Sequence, residues 1–185
     1  MTTLEFFKEL LEKGSIEKVI QDKNISKKDV EGYFNGVFKL LDSQNFNIKD
    51  DSKTYKLFTD GASKGNPGQS GIGIAIILND EIIEEISENI GITTNNIAEY
   101  TAMMKGIKRL IELGIKKVEA FSDSELLVKQ INGIYSVKNE NLKKLHRQIL
   151  SLIKNFDSFT LKHIPREENQ LADKLSKKGS LNHSI

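Results

Sequence analysis

Between Tyr55 and Ile90 the chain reads as three strand-length runs separated only by turns, and no other feature limits its fold as much. Tyr55-Lys56-Leu57-Phe58-Thr59 is strand-like and stops at Asp60-Gly61, where a glycine-rich turn runs to Gly68. Gly71 to Leu78 is a second strand, Asn79-Asp80 a turn, and Glu81 to Ile90 alternates as a third. Runs joined so closely leave an antiparallel meander as the natural arrangement.

The period then changes. Apolar residues Ile97, Met104, Ile107 and Ile111 mark a helix from about Asn95, and Gly114 ends it. Lys117 to Phe121 is a short strand, and Ser122 with Glu125 caps a helix running to about Asn132-Gly133. Leu142, Leu145, Ile149, Leu152 and Ile153 mark another helix, Phe159 to Ile164 the last strand, and Asn169 to Lys178 the last helix. The order βββαβααβα implies an α/β fold, a mixed sheet with helices packed on it.

Residues 1–43 form a helical appendage instead. Thr2 with Glu5 makes a capping box ahead of Leu4, Phe7, Leu10 and Leu11; Gly14-Ser15 breaks the pattern; Ile16, Val19 and Ile20 mark a second helix. Ser26 with Asp29 caps a third, with its stripe at Val30, Tyr33, Phe34, Val37, Phe38 and Leu41. A polar linker follows, giving the division 1–43 appendage, 44–53 linker and 54–180 main domain.

Composition narrows the chemistry. There is no cysteine, which excludes disulfides, thiolate metal sites and cysteine nucleophiles. No apolar run approaches a membrane span, and the N-terminus lacks the shape of a signal peptide, so a cytoplasmic protein without a membrane partner is expected. Net charge is +1, with nine Lys and Arg against ten Asp and Glu in residues 1–54 and 18 against 16 in the remainder. If nucleic acid binds, local patches and bound cations must supply the attraction.

Four acidic residues stand where strands stop or helices start: Asp60, Glu99, Asp123 and Asp173. Singly each has an ordinary explanation, as a helix cap, a complement to a helix dipole or a surface group. If the first and fourth strands are neighbours, Asp60 and Asp123 converge at one edge of the sheet. Clustered carboxylates repel, and they stay ionised together only if cations share them. Oxygen-only ligands select hard ions such as Mg²⁺ or Mn²⁺, and a pair of such ions suits in-line phosphoryl displacement.

The surroundings of these four residues resemble the type 1 ribonuclease H family. Asp60-Gly61-Ala62-Ser63-Lys64-Gly65-Asn66-Pro67-Gly68 is similar to its first motif and Thr93-Thr94-Asn95-Asn96-Ile97-Ala98-Glu99 to its second. Ser122-Asp123-Ser124 is similar to the third and Asn169-Gln170-Leu171-Ala172-Asp173 to the fourth, all in order over about residues 55–178. The resemblance implies a ribonuclease H-like fold with a five-stranded mixed sheet. It implies a two-metal endonuclease, using two Mg²⁺ ions with Mn²⁺ as an alternative, that cuts the RNA strand of an RNA–DNA hybrid and leaves 5′-phosphate and 3′-hydroxyl ends. Asp60 would bridge both ions, Glu99 and Asp123 would hold the leaving-group ion, and Asp173 the ion that activates water. Gly61, Ser63, Asn66, Asn95 and Asn96 would reach ribose 2′-hydroxyls, and Thr94 a DNA-strand phosphate. Read without the family, Gly65 to Gly68 is a tight turn and Asn95 a helix cap.

Three features depart from the family pattern. Gln130 to Lys138 joins two helices directly, like the form that lacks a basic protrusion. The residue assisting catalysis before Asp173 is expected to be Arg166, with His163 as the alternative: His163 has the family spacing, but His163-Ile164-Pro165 reads as the end of a strand. The N-terminal helices either dock substrate or, the favoured reading, pack as an appendage with Phe6, Phe7, Tyr33, Phe34 and Phe38 as core. A non-catalytic relative would have lost a carboxylate, and a DNA-specific one would not need the Asn pair before Glu99.

Overall fold

The computed structural model describes residues 1–44 and 53–181, so most of the expected linker, 44–53, lies outside the described residues. The chain divides into two compact units, Met1–Ile48 and Lys49–Ile185.

In the first unit, helix α1 (Thr3–Lys13) starts at a reciprocal cap. The Thr2 hydroxyl accepts from the Glu5 N–H, and the Glu5 carboxylate accepts from the Thr2 N–H. Gly14, at φ +65°, ends it. Helix α2 (Ile16–Lys23) is capped by Ser15. Ser26 and Asp29 repeat the reciprocal cap before α3 (Lys27–Gln44). Phe6 and Val19 are fully buried, Phe6 stacks on Tyr33 at 4.8 Å, and Phe7 and Phe34 meet edge to face. Four of the five aromatics therefore pack on one another; the Phe38 side chain lies outside the description.

The second unit is a five-stranded sheet in the order β3-β2-β1-β4-β5. Strands β1 (Tyr55–Gly65), β2 (Gly68–Leu78) and β3 (Glu81–Thr93) form the antiparallel meander. Strands β4 (Lys117–Ser122) and β5 (Ser158–His163) are parallel to β1. The first strand does not stop at Asp60 as its sequence suggested. It continues to Gly65 because the glycine-rich segment pairs residue by residue with the start of β2, from Asp60↔Gly73 to Gly65↔Gly68. Its parallel partner leaves earlier: β1 and β4 pair only from Tyr55↔Val118 to Phe58↔Phe121. Beyond Phe58 the two strands diverge, and that divergence opens a cleft.

Helices α4 (Asn95–Glu112), α5 (Glu125–Ile131), α6 (Glu140–Ile153) and α7 (Gln170–Leu181) complete the unit, with a short 3-10 turn at Arg166–Glu168. Two caps differ from expectation. Thr94, rather than Asn95, caps α4, and Ser124, rather than Ser122, caps α5; the Ser122 hydroxyl accepts from the Ser124 N–H instead. Leu57 and Ile74 face α4 at Gly106, within a fully buried core that includes Ile72, Ile76, Met103, Ile107 and Leu110. On the opposite face α7 lies directly against β2. An ideal Cβ on Gly73 would fall 2.0 Å from the Ala172 carbonyl oxygen, so only a residue without a side chain lets helix and strand approach this closely. Among the described residues no helix is long and apolar enough to cross a membrane.

Candidate active site

Asp60 and Gly61 show how the sheet delivers groups to both faces. Successive residues of a strand point to opposite sides. Gly61 therefore lies under α4, where a Cβ would fall 2.2 Å from the Glu99 N atom, and its own N–H donates to Glu99 Oε2 at 3.2 Å. Asp60 lies on the α7 side, where its carboxylate accepts from the buried Ser176 hydroxyl. Asp123 follows the last residue of β4, at the point where β4 has parted from β1. Its Oδ1 accepts from Asn169 Nδ2 at 2.6 Å, and the same amide donates to the Thr59 carbonyl at 3.0 Å. Asn169 thus ties the ends of β1 and β4 together, and its backbone carbonyl accepts from the N–H of Asp173 at 3.0 Å.

A cleft of about 450 Å³ results, and Asp60, Glu99, Asp123 and Arg166 line it with Gly61, Ser63, Asn95 and Lys177 among others. Asp173 connects to it through cations. Arg166 Nε donates to Asp173 Oδ1 at 3.1 Å, with its NH2 group on the same oxygen, and Lys177 Nζ donates to Oδ2 at 2.5 Å.

The carboxylates are in electrical conflict. Burial pushes the Asp60 carboxyl above its ordinary value and Asp123 and Asp173 push it further, while the Ser176 hydrogen bond and Arg166 pull the other way. Glu99, 6% exposed, is held well above the glutamate range by burial and then by Asp60 and Asp123. Asp173 ends below its ordinary value: burial opposes its charge, but Lys177 and Arg166 outweigh that. All the donors are oxygen. As placed, no group of three or more His, Asp or Glu side chains among the described residues is arranged to hold a metal ion; Asp60 is hydrogen-bonded to Ser176, and Asp173 to Arg166 and Lys177.

The remaining candidates separate. Asn66 does not line the cleft; its Oδ1 accepts from the Asn95 N–H at 3.2 Å and ties the β1–β2 turn to α4. Thr94 is engaged as the α4 cap, and Asn96 is exposed on the first turn. The Ser63 hydroxyl points to backbone carbonyls of its own hairpin and of Thr93, at 3.0 Å for the latter. His163, paired with Ser122 at the strand end, does not line the cleft, whereas Arg166 does. Sequence reasoning did not single out Ser176, Lys177 or the bridging amide of Asn169. Ser176 and Lys177 stand three and four residues after Asp173, the spacing that shares a helix face, which was the available signal.

Comparison with known proteins gives a family model described as "Reverse transcriptase-like" that matches residues 58–179. A ribonuclease HI of Halobacterium salinarum is 33% identical over 120 residues, 64% of this chain and 60% of that protein. The chain therefore spans less than two thirds of that relative's length. A ribonuclease H of Syntrophus aciditrophicus is 32% identical over 147 residues, covering 71% of this chain and 83% of that one. Among solved structures, LC11-RNase H1 in complex with an RNA/DNA hybrid is 37% identical, with a TM-score of 0.64 over 67% of this chain and 94% of that one.

Proposed function

The chain belongs to the type 1 ribonuclease H family, and from that premise we propose that it is an endonuclease hydrolysing the RNA strand of RNA–DNA hybrids, leaving 5′-phosphate and 3′-hydroxyl ends. One observation carries the reading: carboxylates from β1, α4 and the end of β4 line a single cleft, where burial and the neighbouring carboxylates raise the proton affinity of Asp60 and Glu99. The hybrid found with LC11-RNase H1 supports the choice of substrate.

The donor set fits hard divalent cations, with two Mg²⁺ as the natural occupants and Mn²⁺ as a substitute. Asp60 would be the shared ligand, Glu99 and Asp123 would serve one ion, and Asp173 the other. Cations held there would supply Lewis acidity toward water and the scissile phosphate. The chain's own residues prepare the site. The Gly61 N–H orients Glu99, and Asn169 holds Asp123 against the end of β1. Arg166 and Lys177, with side chains 65% and 57% exposed, neutralise Asp173 until substrate arrives. A backbone phosphate offers both cations a competing acceptor, which frees Asp173 for its ligand role. Asn95 and Asn96, exposed at the start of α4, can donate to and accept from ribose 2′-hydroxyls, while Asn66 sets the position of Asn95. Ser63 contributes by shaping the hairpin.

The test uses labelled RNA–DNA hybrid, duplex RNA, duplex DNA and a DNA duplex with one embedded ribonucleotide, each with Mg²⁺, Mn²⁺ or chelator. Only the full hybrid should be cut, only in its RNA strand and only with a divalent ion. Efficient cutting at the single ribonucleotide, or of duplex DNA, would overturn the reading.

A further inference from the structure

Asp60 faces α7 because it pairs with Gly73 across the β1–β2 ladder, and Gly73 puts no side chain between strand and helix. A Cβ there would fall 2.5 Å from the Ser176 N atom, and a Cβ on Gly71 would fall 2.4 Å from the Ser176 carbonyl oxygen. Two glycines thus seat the Ser176 backbone against β2, and its side chain, fully buried, reaches across to β1. There it donates to Asp60 Oδ2. A serine within a helix commonly bonds the carbonyl three or four residues back. Ser176 has that option too, since the Asp173 carbonyl lies 2.9 Å from its Oγ. That habit does not account for the bond to Asp60, which joins two elements 116 residues apart in sequence.

We propose that Ser176 is a positioning residue of the acidic cluster: by donating to Oδ2 it fixes the orientation of the Asp60 carboxylate, and it keeps that bond when a divalent cation binds the cluster. Asp60 is 4% exposed and is repelled by Asp123 and Asp173, so without a fixed donor its carboxylate would turn away from them. Ser176 thereby holds the carboxylate in one orientation at the wall of the cleft, and no hydrogen bond has to break when a cation binds. Hydrogen-bond partners of metal-binding carboxylates typically govern about 10- to 100-fold in metal affinity.

This inference rests on the divalent-cation reading above, so the experiment separates the two. Mn²⁺ binding to the full chain without nucleic acid is measured by electron paramagnetic resonance of the free ion, for the unmutated protein, Ser176→Ala and Ser176→Cys, with melting in chelator as the check on folding. We expect both variants to fold and to bind Mn²⁺ about tenfold more weakly, because the thiol fills the space of the hydroxyl but donates poorly. Binding weakened more than threefold in Ser176→Cys supports the assignment even if the alanine variant fails to fold. Binding in Ser176→Cys that is unchanged or tighter overturns it while leaving the cation reading standing. Failure of the unmutated chain to bind Mn²⁺ overturns both.

Discussion

Replacing Arg166 by alanine separates catalytic from structural roles at the edge of the cleft. The guanidinium donates through Nε and its NH2 group to a single oxygen of Asp173, and its side chain is 65% exposed. An ion pair so open to water stabilises the fold by no more than about 1 kcal/mol. Lys177 still holds the other oxygen, so Asp173 is not left uncompensated. The melting temperature should therefore barely move. Turnover should respond more, because arginine stays protonated near neutral pH and offers a planar pair of donors to phosphate. We expect single-turnover hydrolysis of a labelled hybrid to slow by roughly tenfold or more, about 1.4 kcal/mol of barrier. His163→Ala, at the end of β5 and outside the cleft, should change the rate less at equal folded fraction. A larger rate loss for His163→Ala than for Arg166→Ala would refute the assignment, as would a pH dependence of the parent's rate that His163→Ala abolishes.

Other outcomes test separate parts of the molecule. The raised folded-state value of Glu99 means that its protonated form favours the fold: that contribution is complete below the ordinary glutamate value of about 4.3 and is lost as pH rises through the raised one. Glu99→Gln mimics the protonated form, so in chelator it should melt with the parent near about pH 4 and above it at neutral pH; equal melting at both would remove the conflict we describe. Gly73→Ala forces a Cβ into the Ala172 carbonyl and should lower stability by about 3 kcal/mol in denaturant titration, whereas a neutral result would mean that α7 is not seated as described. Residues 53–185 alone should fold and cleave, since all four carboxylates and all five strands lie there; a truncated chain that is folded but inactive would place part of the site in the helical unit.

Much of this arrangement is legible in the sequence, for identifiable reasons. The element order follows from changes of hydrophobic period, and the reciprocal caps at Thr2–Glu5 and Ser26–Asp29 are local chemistry that needs no partner. The far end of β1 is not local. A run of glycine, serine and lysine has no strand signature, and residues 61–65 are extended only because the start of β2 pairs with them. The caps at Thr94 and Ser124 were displaced by one or two residues because neighbouring Thr, Asn and Ser are equivalent acceptors until the chain's path is set. The four acidic residues stood out by their motifs. Ser176 did not, because a lone serine in a helix acquires meaning only when Gly71 and Gly73 bring it over Asp60.

The most direct measurement is single-turnover cleavage of an RNA–DNA hybrid by Asp60→Asn, at a folded fraction matched to the parent and with saturating Mg²⁺. Asp60 is the carboxylate that both Asp123 and Asp173 act upon, and it would be shared by both cations. Removing its charge should leave less than about one per cent of the rate, equivalent to at least about 2.7 kcal/mol of barrier, with melting in chelator no lower than that of the parent because a repulsive charge is gone. Residual cleavage well above that level in a folded protein would contradict a hydrolytic centre built around Asp60.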